Sequence, residues 1–166
     1  IHNNRLIIWP ETAFLGVFPR DKNKLLSLTK PIIKSNSNDY LFTGLINFKD
    51  EFYFNSAVLI NSKNKVINIY NKSFLVPFGE YVPFKRFLPD LSFLSDKIDF
   101  KNGTNNKNFN LGKKFNFIPL ICYEIIFSKY IFDQIDNKTA LIINITNDGW
   151  FGDTIGPYQH LQFAKI

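Results

Sequence analysis

Residues 115–124 read FNFIPLICYE, and this stretch decides the fold and places the one cysteine of the chain. Phe115–Ile121 is short and almost continuously apolar, which predicts a buried strand. It leads directly into Cys122, and the pattern of residues 124–135 predicts a helix. A side chain at such a junction is held at the carboxyl end of a strand, and the positive end of the following helix would stabilise a thiolate there.

Other apolar runs predict a mixture of strands and helices along the chain. Strands are expected at residues 5–9, 40–46, 52–60, 65–70 and 140–145, with a hairpin turn at residues 61–64. Helices are expected at residues 22–34, where Pro31 interferes, at 88–100 and from 159 onward, and polar loops at 102–110 and 147–156. Continuously apolar strands alternating with helices predict a layered α/β fold whose sheets are covered on both faces.

The composition is that of a folded domain with a hydrophobic core. The chain has 166 residues, of which 45% are hydrophobic, including 19 Phe and 7 Tyr, so we expect one domain and no extensive disorder. The net charge of +6 is spread over scattered lysines without a nucleic-acid-binding motif, so nucleic acid is not an expected partner. A single cysteine excludes an internal disulfide and a cysteine-based zinc site. No apolar run reaches the roughly 18 residues that span a bilayer.

Three side chains are candidates for chemistry, although position alone leaves each with a second interpretation. Cys122 is a candidate nucleophile or a small buried hydrophobe. Glu11 follows an apolar run and Trp9-Pro10, where partial desolvation suits a general base, but an acid in the first turn of a helix has the same pattern. Lys72 ends a predicted strand and can aim its ammonium at a developing oxyanion, yet it is one of 17 lysines.

A resemblance distinguishes Lys72 from the other lysines. The segments 9–11 (WPE), 70–72 (YNK) and 121–124 (ICYE) follow the order Glu, Lys, Cys and resemble the triad motifs of the nitrilase, or carbon–nitrogen hydrolase, superfamily. Residues 75–83 (LVPFGEYVP) and 147–160 (NDGWFGDTIGPYQH) resemble the apolipoprotein N-acyltransferases within that superfamily. Among these residues, Gly149 and Tyr158 depart from the family pattern, and neither belongs to the triad.

The resemblance implies both a fold and a reaction. The fold would be a nitrilase-like α-β-β-α sandwich, with residues 1–166 as an incomplete part of one catalytic domain whose flanking membrane helices lie outside the chain. Cys122 would attack an ester carbonyl of a phospholipid, with Glu11 as general base and Lys72 stabilising the oxyanion. The thioester would then pass its acyl chain to the N-terminal amine of a diacylated lipoprotein. The resemblance implies no cofactor and no metal, and a location on the outer face of the bacterial inner membrane.

Three residues near the triad are expected to support it. The resemblance implies that Glu80, Tyr123 and Glu124 shape the pocket, and that the two carboxylates keep Lys72 charged. Structural ion pairing is the alternative for both carboxylates. Trp150, Phe151 and His160 either line the acceptor site or belong to the core.

Residues 81–94 form a proline-broken segment with large apolar side chains and two cations. We interpret it as a membrane contact and substrate entry, and the side chains expected at the lipid are Tyr81, Phe84, Phe87 and Leu88. A loop packed on the protein's own core is the alternative. Two other functions also stay open: a soluble amidase or nitrilase that uses water as acceptor, and an inactive lipid-binding module. The complete triad argues against the inactive module.

Overall fold

The computed structural model describes residues 5–33, 38–77, 79–81, 99–104, 108–112 and 115–165. Within these ranges the strands are β1 (Leu6–Ile8), β2 (Phe14–Phe18), β3 (Tyr40–Lys49), β4 (Phe52–Asn61), β5 (Val66–Asn71), β6 (Phe109–Leu111), β7 (Phe115–Ile121) and β8 (Thr139–Ile145). The α-helices are α1 (Lys22–Thr29), α2 (Ser128–Phe132) and α3 (Gly156–Phe163). Two short 3-10 turns, Cys122–Ile126 and Asp148–Phe151, complete the described elements.

The strands form two sheets. In the larger sheet β3, β4 and β5 are antiparallel neighbours, and β1 and β2 pair in parallel with successive stretches of β3. In the smaller sheet β7 is central, antiparallel to β6 and parallel to β8. β1 and β5 therefore run in the same direction as β3, and the carboxyl ends of these strands lie at the same end of the sandwich.

The two sheets face each other, and a helix covers the outer face of each. Because successive strand residues point to opposite faces, Phe42 of β3 packs on Phe117 of β7 between the sheets, with ring centroids 5.1 Å apart. The neighbouring Leu41 faces outward and joins the cluster of Leu25 in α1. Ile118 faces outward from β7 in the cluster that contains Ile131 of α2. The order of layers is the predicted α-β-β-α sandwich.

The structure confirms the strands predicted at β1, β3, β4, β5, β7 and β8 but corrects other predictions. Residues 124–135 do not form one helix: the chain breaks at Phe127, with φ −88° and ψ 67°, between the Cys122–Ile126 turn and the five-residue α2. Residues 102–110 are not wholly a surface loop, because Phe109 is buried in β6 against Phe42. β2 had no counterpart among the predicted strands. The prediction that the sheets are covered on both faces does not hold at β8, because Leu141 on one face and Ile142 on the other are exposed.

Among the described helices, none is long and apolar enough to cross a bilayer. The helix predicted at residues 22–34 ends at Thr29, two residues before Pro31. Most of the helix predicted at residues 88–100 lies outside the described residues, and only its last two positions are described.

Candidate active site

Glu11, Lys72 and Cys122 come from three separate parts of the chain and meet at one end of the sandwich. Glu11 lies just beyond β1, Lys72 directly follows β5 and Cys122 directly follows β7. All three are buried, with exposed fractions of 5%, 1% and 8% respectively. Charged groups at the carboxyl ends of strands, enclosed by both sheets, make this end of the fold the candidate active site.

The Lys72 ammonium lies between two carboxylates. Its Nζ is 2.8 Å from Oε2 of Glu80 and 4.0 Å from Oε1 of Glu11. Asn55 of β4 joins the carboxylates, because its Nδ2 donates to Glu11 Oε1 at 2.7 Å and to Glu80 Oε1 at 2.6 Å. The backbone N–H of Lys72 donates to the carbonyl of Asn55 at 2.8 Å, so the same residue also fixes the lysine's main chain.

Glu11 is oriented by donors from both sheets. Besides the bond from Asn55, its Oε2 accepts the backbone N–H of Asn147 at 3.0 Å. Asn147 follows β8, and the carboxylate therefore connects the two sheets of the sandwich. A buried carboxylate with fixed donors on both oxygens has a defined orientation toward the neighbouring thiol.

Cys122 is a buried thiol in an unusual backbone conformation, with φ of 55°. Burial, and next the negative charge of Glu11, raise the pKa of Cys122, while Lys72 and the hydroxyl of Thr146 oppose that shift. The element that follows is a five-residue 3-10 turn and not the predicted helix; the backbone N–H of Tyr123 in this turn lowers the pKa of Cys122, but burial and the charge of Glu11 outweigh it. A thiol of raised pKa would need a base to remove its proton before it could act as a nucleophile.

Glu124 supports the backbone around Cys122 and not the lysine ammonium. Its Oε2 accepts the N–H of Ile121 at 2.9 Å. Its Oε1 accepts the hydroxyl of Tyr70 at 2.8 Å and the N–H of Ser73 at 2.7 Å. Burial raises the pKa of Glu124, whereas these donors favour its ionised form. Burial, and then Glu124, raise the pKa of Tyr70, so its hydroxyl remains a donor.

The remaining predicted residues are only partly described. Tyr123 is exposed beside the triad, and Tyr81 forms an isolated bridge with Pro77. Phe84, Phe87 and Leu88 lie outside the described residues.

Two glycines allow the backbone of the triad to pack closely. A Cβ on Gly44 of β3 would lie 2.6 Å from Cα of Glu11, and the N–H of Gly44 donates to Pro10. A Cβ on Gly103 would overlap the carbonyl of Asn71, and the N–H of Gly103 donates to the carbonyl of Lys72 at 2.7 Å. Both positions need a residue without a side chain.

Asn55 and His160 complete the site, and the sequence did not assign a role to either. Asn55 interrupts the apolar β4, which is a signal that a buried polar partner is present. His160 is one of only two histidines in the chain and is buried, with contacts to Asp148 and to the carbonyl of Cys122.

Comparison with known proteins gives consistent matches. Residues 3–166 match the family described as carbon–nitrogen hydrolase. An apolipoprotein N-acyltransferase of Wigglesworthia glossinidia brevipalpis is 39% identical in an alignment of 176 positions, which covers 100% of this chain and 34% of that protein. One from Agrobacterium fabrum is 34% identical over 97% of this chain and 31% of its own length. The chain thus spans about a third of these relatives.

Among solved structures, an amidase from Nesterenkonia sp. is similar in fold. Its TM-score is 0.57 at 17% sequence identity, and the match covers 89% of this chain and 56% of the amidase. This similarity concerns the layered fold alone.

Proposed function

Because the chain belongs to the carbon–nitrogen hydrolase family, we propose that it carries the active site of an acyltransferase that uses Cys122 as nucleophile. One observation carries the proposal: a lysine that is 1% exposed meets the carboxylates of Glu11 and Glu80 next to a buried thiol. A buried ammonium near a nucleophile is suited to stabilise an oxyanion, and a carboxylate beside a thiol of raised pKa is suited to act as base.

In the proposed first half-reaction Glu11 takes the thiol proton of Cys122, and the sulfur attacks an ester carbonyl. The C=O bond becomes a C–O⁻ held by the Lys72 ammonium. When the ester C–O bond breaks, the leaving alcohol receives the proton from Glu11, and a thioester remains on Cys122.

In the proposed second half-reaction an amine attacks the thioester. Glu11 takes the proton that the amine must lose, the C–S bond breaks, and the thiolate receives a proton as the amide forms. Glu80 stays paired with Lys72 through both steps, which leaves Glu11 to move protons.

The proposed acyl donor is a phospholipid and the proposed acceptor is the N-terminal amine of a diacylated lipoprotein, at the outer face of a bacterial inner membrane. The relatives named apolipoprotein N-acyltransferase support this choice because their matches cover nearly the whole chain. Residues 75–83 and 147–160, which resemble that family, support it from the sequence.

The test is mass spectrometry of the full-length protein, both intact and digested to peptides, after exposure to phospholipid vesicles. We expect an added acyl mass on the peptide that contains Cys122, and its loss as a diacylated lipopeptide acceptor is converted to an amide. The Cys122→Ser variant should give no thioester. Release of free fatty acid at an unchanged rate with and without the lipopeptide would contradict the proposal and favour a hydrolase that uses water.

A further inference from the structure

The backbone of Cys122 is held by side chains from two other elements. Its φ of 55° lies in the left-handed region, which residues other than glycine seldom adopt. Its carbonyl oxygen accepts a hydrogen bond from Nδ2 of Asn144 in β8 at 3.1 Å and faces Nε2 of His160 in α3 at 3.0 Å. A strained conformation persists only where the surrounding structure fixes it, so these two contacts bear directly on the nucleophile.

His160 is buried between two hydrogen-bond acceptors. While Nε2 faces the carbonyl of Cys122, Nδ1 lies 2.9 Å from Oδ1 of Asp148. A carbonyl and a carboxylate oxygen can only accept, so both contacts are hydrogen bonds when both ring nitrogens carry a proton. The ring is then an imidazolium, and the carboxylate of Asp148 balances its charge.

We propose that His160, paired with Asp148, is a positioning residue that fixes the backbone of Cys122 and so aims the nucleophile at the acyl carbonyl. The inference rests on the proposed function, because it takes Cys122 as the nucleophile. The same network reaches the thiol from its other side. The Thr146 hydroxyl donates to Oδ1 of Asp148 at 2.9 Å and also interacts with the side chain of Cys122.

The elements packed against α3 present few ionisable groups to the ring. From the Cys122–Ile126 turn, Tyr123 lies with its ring centroid 6.3 Å from that of His160, and the carboxylate of Glu124 is bonded to Ile121. From the other turn, Asp148 contacts the ring directly. Among the described residues, Asp148 is thus the charged partner, and loss of the ring proton leaves one acceptor facing a lone pair.

The experiment compares acyl-enzyme formation in the full-length protein for four variants. We expect His160→Leu to slow acylation about tenfold or more with little change in KM for the acyl donor. His160→Gln should recover part of the rate, because its amide can still donate to the Cys122 carbonyl. Asp148→Asn should also slow acylation, because the ring loses the carboxylate that orients it. His2→Gln, at the other histidine, is the control.

Equal acylation rates for His160→Gln and His160→Leu would overturn the inference, and so would wild-type acylation by His160→Leu. If melting curves reveal that both His160 variants fail to fold, Asp148→Asn decides, and wild-type acylation by that variant overturns the inference. Absence of a thioester on Cys122 in the wild type would instead contradict the proposed function.

Discussion

The ammonium nitrogen of Lys72 lies 2.8 Å from Oε2 of Glu80, within hydrogen-bonding distance. The corresponding distance to the carboxylate of Glu11 is 4.0 Å. Glu80 therefore anchors the lysine through a hydrogen bond. Glu11 interacts with the lysine's charge electrostatically, but its carboxylate is too far away for a hydrogen bond. Two carboxylates with different partners can perform different tasks within one buried cluster.

This division of tasks predicts the effect of Glu80→Gln. The amide loses the charge-assisted bond to Lys72, so the ammonium is expected to move toward Glu11 and compete with its role as base. We expect thioester formation to slow by about ten- to a hundredfold, measured by quenched mass spectrometry. The control is Glu51→Gln, the same change at an exposed position. An unchanged rate for Glu80→Gln would mean that Glu80 does not anchor the lysine during catalysis.

Substitutions at Glu11 and Lys72 should shift the pKa of Cys122 in opposite directions. Glu11 raises that pKa and Lys72 lowers it, so Glu11→Gln should lower it and Lys72→Met should raise it. A lower pKa means more thiolate at a given pH. Glu11→Gln should thus speed alkylation of Cys122 by iodoacetamide at neutral pH, although acyl transfer is lost. Labelling of the Cys122 peptide as a function of pH measures both shifts, and shifts of the same sign would contradict the electrostatic description.

Glu124→Gln should destabilise the protein although it removes a buried charge. The carboxylate accepts from Ile121 on one oxygen and from Tyr70 and Ser73 on the other, whereas an amide presents a donor to one of these sets. We expect a loss of about 1–3 kcal/mol in the free energy of unfolding. Denaturant unfolding of the variant and of Glu51→Gln gives the comparison. Equal stability of Glu124→Gln and wild type would mean that these donors find other partners.

The segment 81–94 provides a prediction from sequence alone, since Phe84 and Phe87 lie outside the described residues. If their rings contact lipid, changing both to Ser removes apolar burial of about 1.5–3 kcal/mol per side chain. Acylation by a long-chain phospholipid should then slow, while reaction with a short, water-soluble activated ester stays near normal. The measurement is the reaction rate of the double variant with each of the two substrates. Equal decreases in both rates would indicate that the segment belongs to the core, and unchanged rates would indicate a surface loop without a role in acylation.

The apolar runs separated by turn residues predicted a layered α/β fold, and the resemblance to the nitrilase superfamily specified the α-β-β-α sandwich. The run that ends at Ile121 and the hairpin at residues 61–64 were confirmed because their patterns are local. The sequence analysis missed β6 because Phe109 stands among Asn residues, and its burial depends on the rings of Phe117 in the adjacent β7 and of Phe42 in β3, which is distant in sequence. Local pattern cannot predict a strand that is stabilised mainly by tertiary contacts.

The site was less accessible from the sequence than the fold. Lys72 was selected by resemblance, since its burial arises only when β5 brings it to Glu11 and Glu80. The contacts of Asn55 and His160 join residues far apart in the chain, and no spacing rule encodes them. Residue type predicted which groups can do chemistry, and the fold decides which of them meet.

Gly44 lies against the main chain of Glu11, Gly103 lies against that of Asn71, directly before Lys72, and neither glycine carries a reactive group. In a library of single substitutions they should nevertheless be as intolerant as the residues that move protons. Selection on this protein would preserve the two glycines because they have no side chain. An invariant glycine at either position in an alignment of related sequences would therefore indicate steric exclusion and not chemistry. A survey of inactivating alleles should therefore find a third class beside catalytic losses and unfolded proteins: stable proteins whose base or oxyanion group is displaced by a single methyl group.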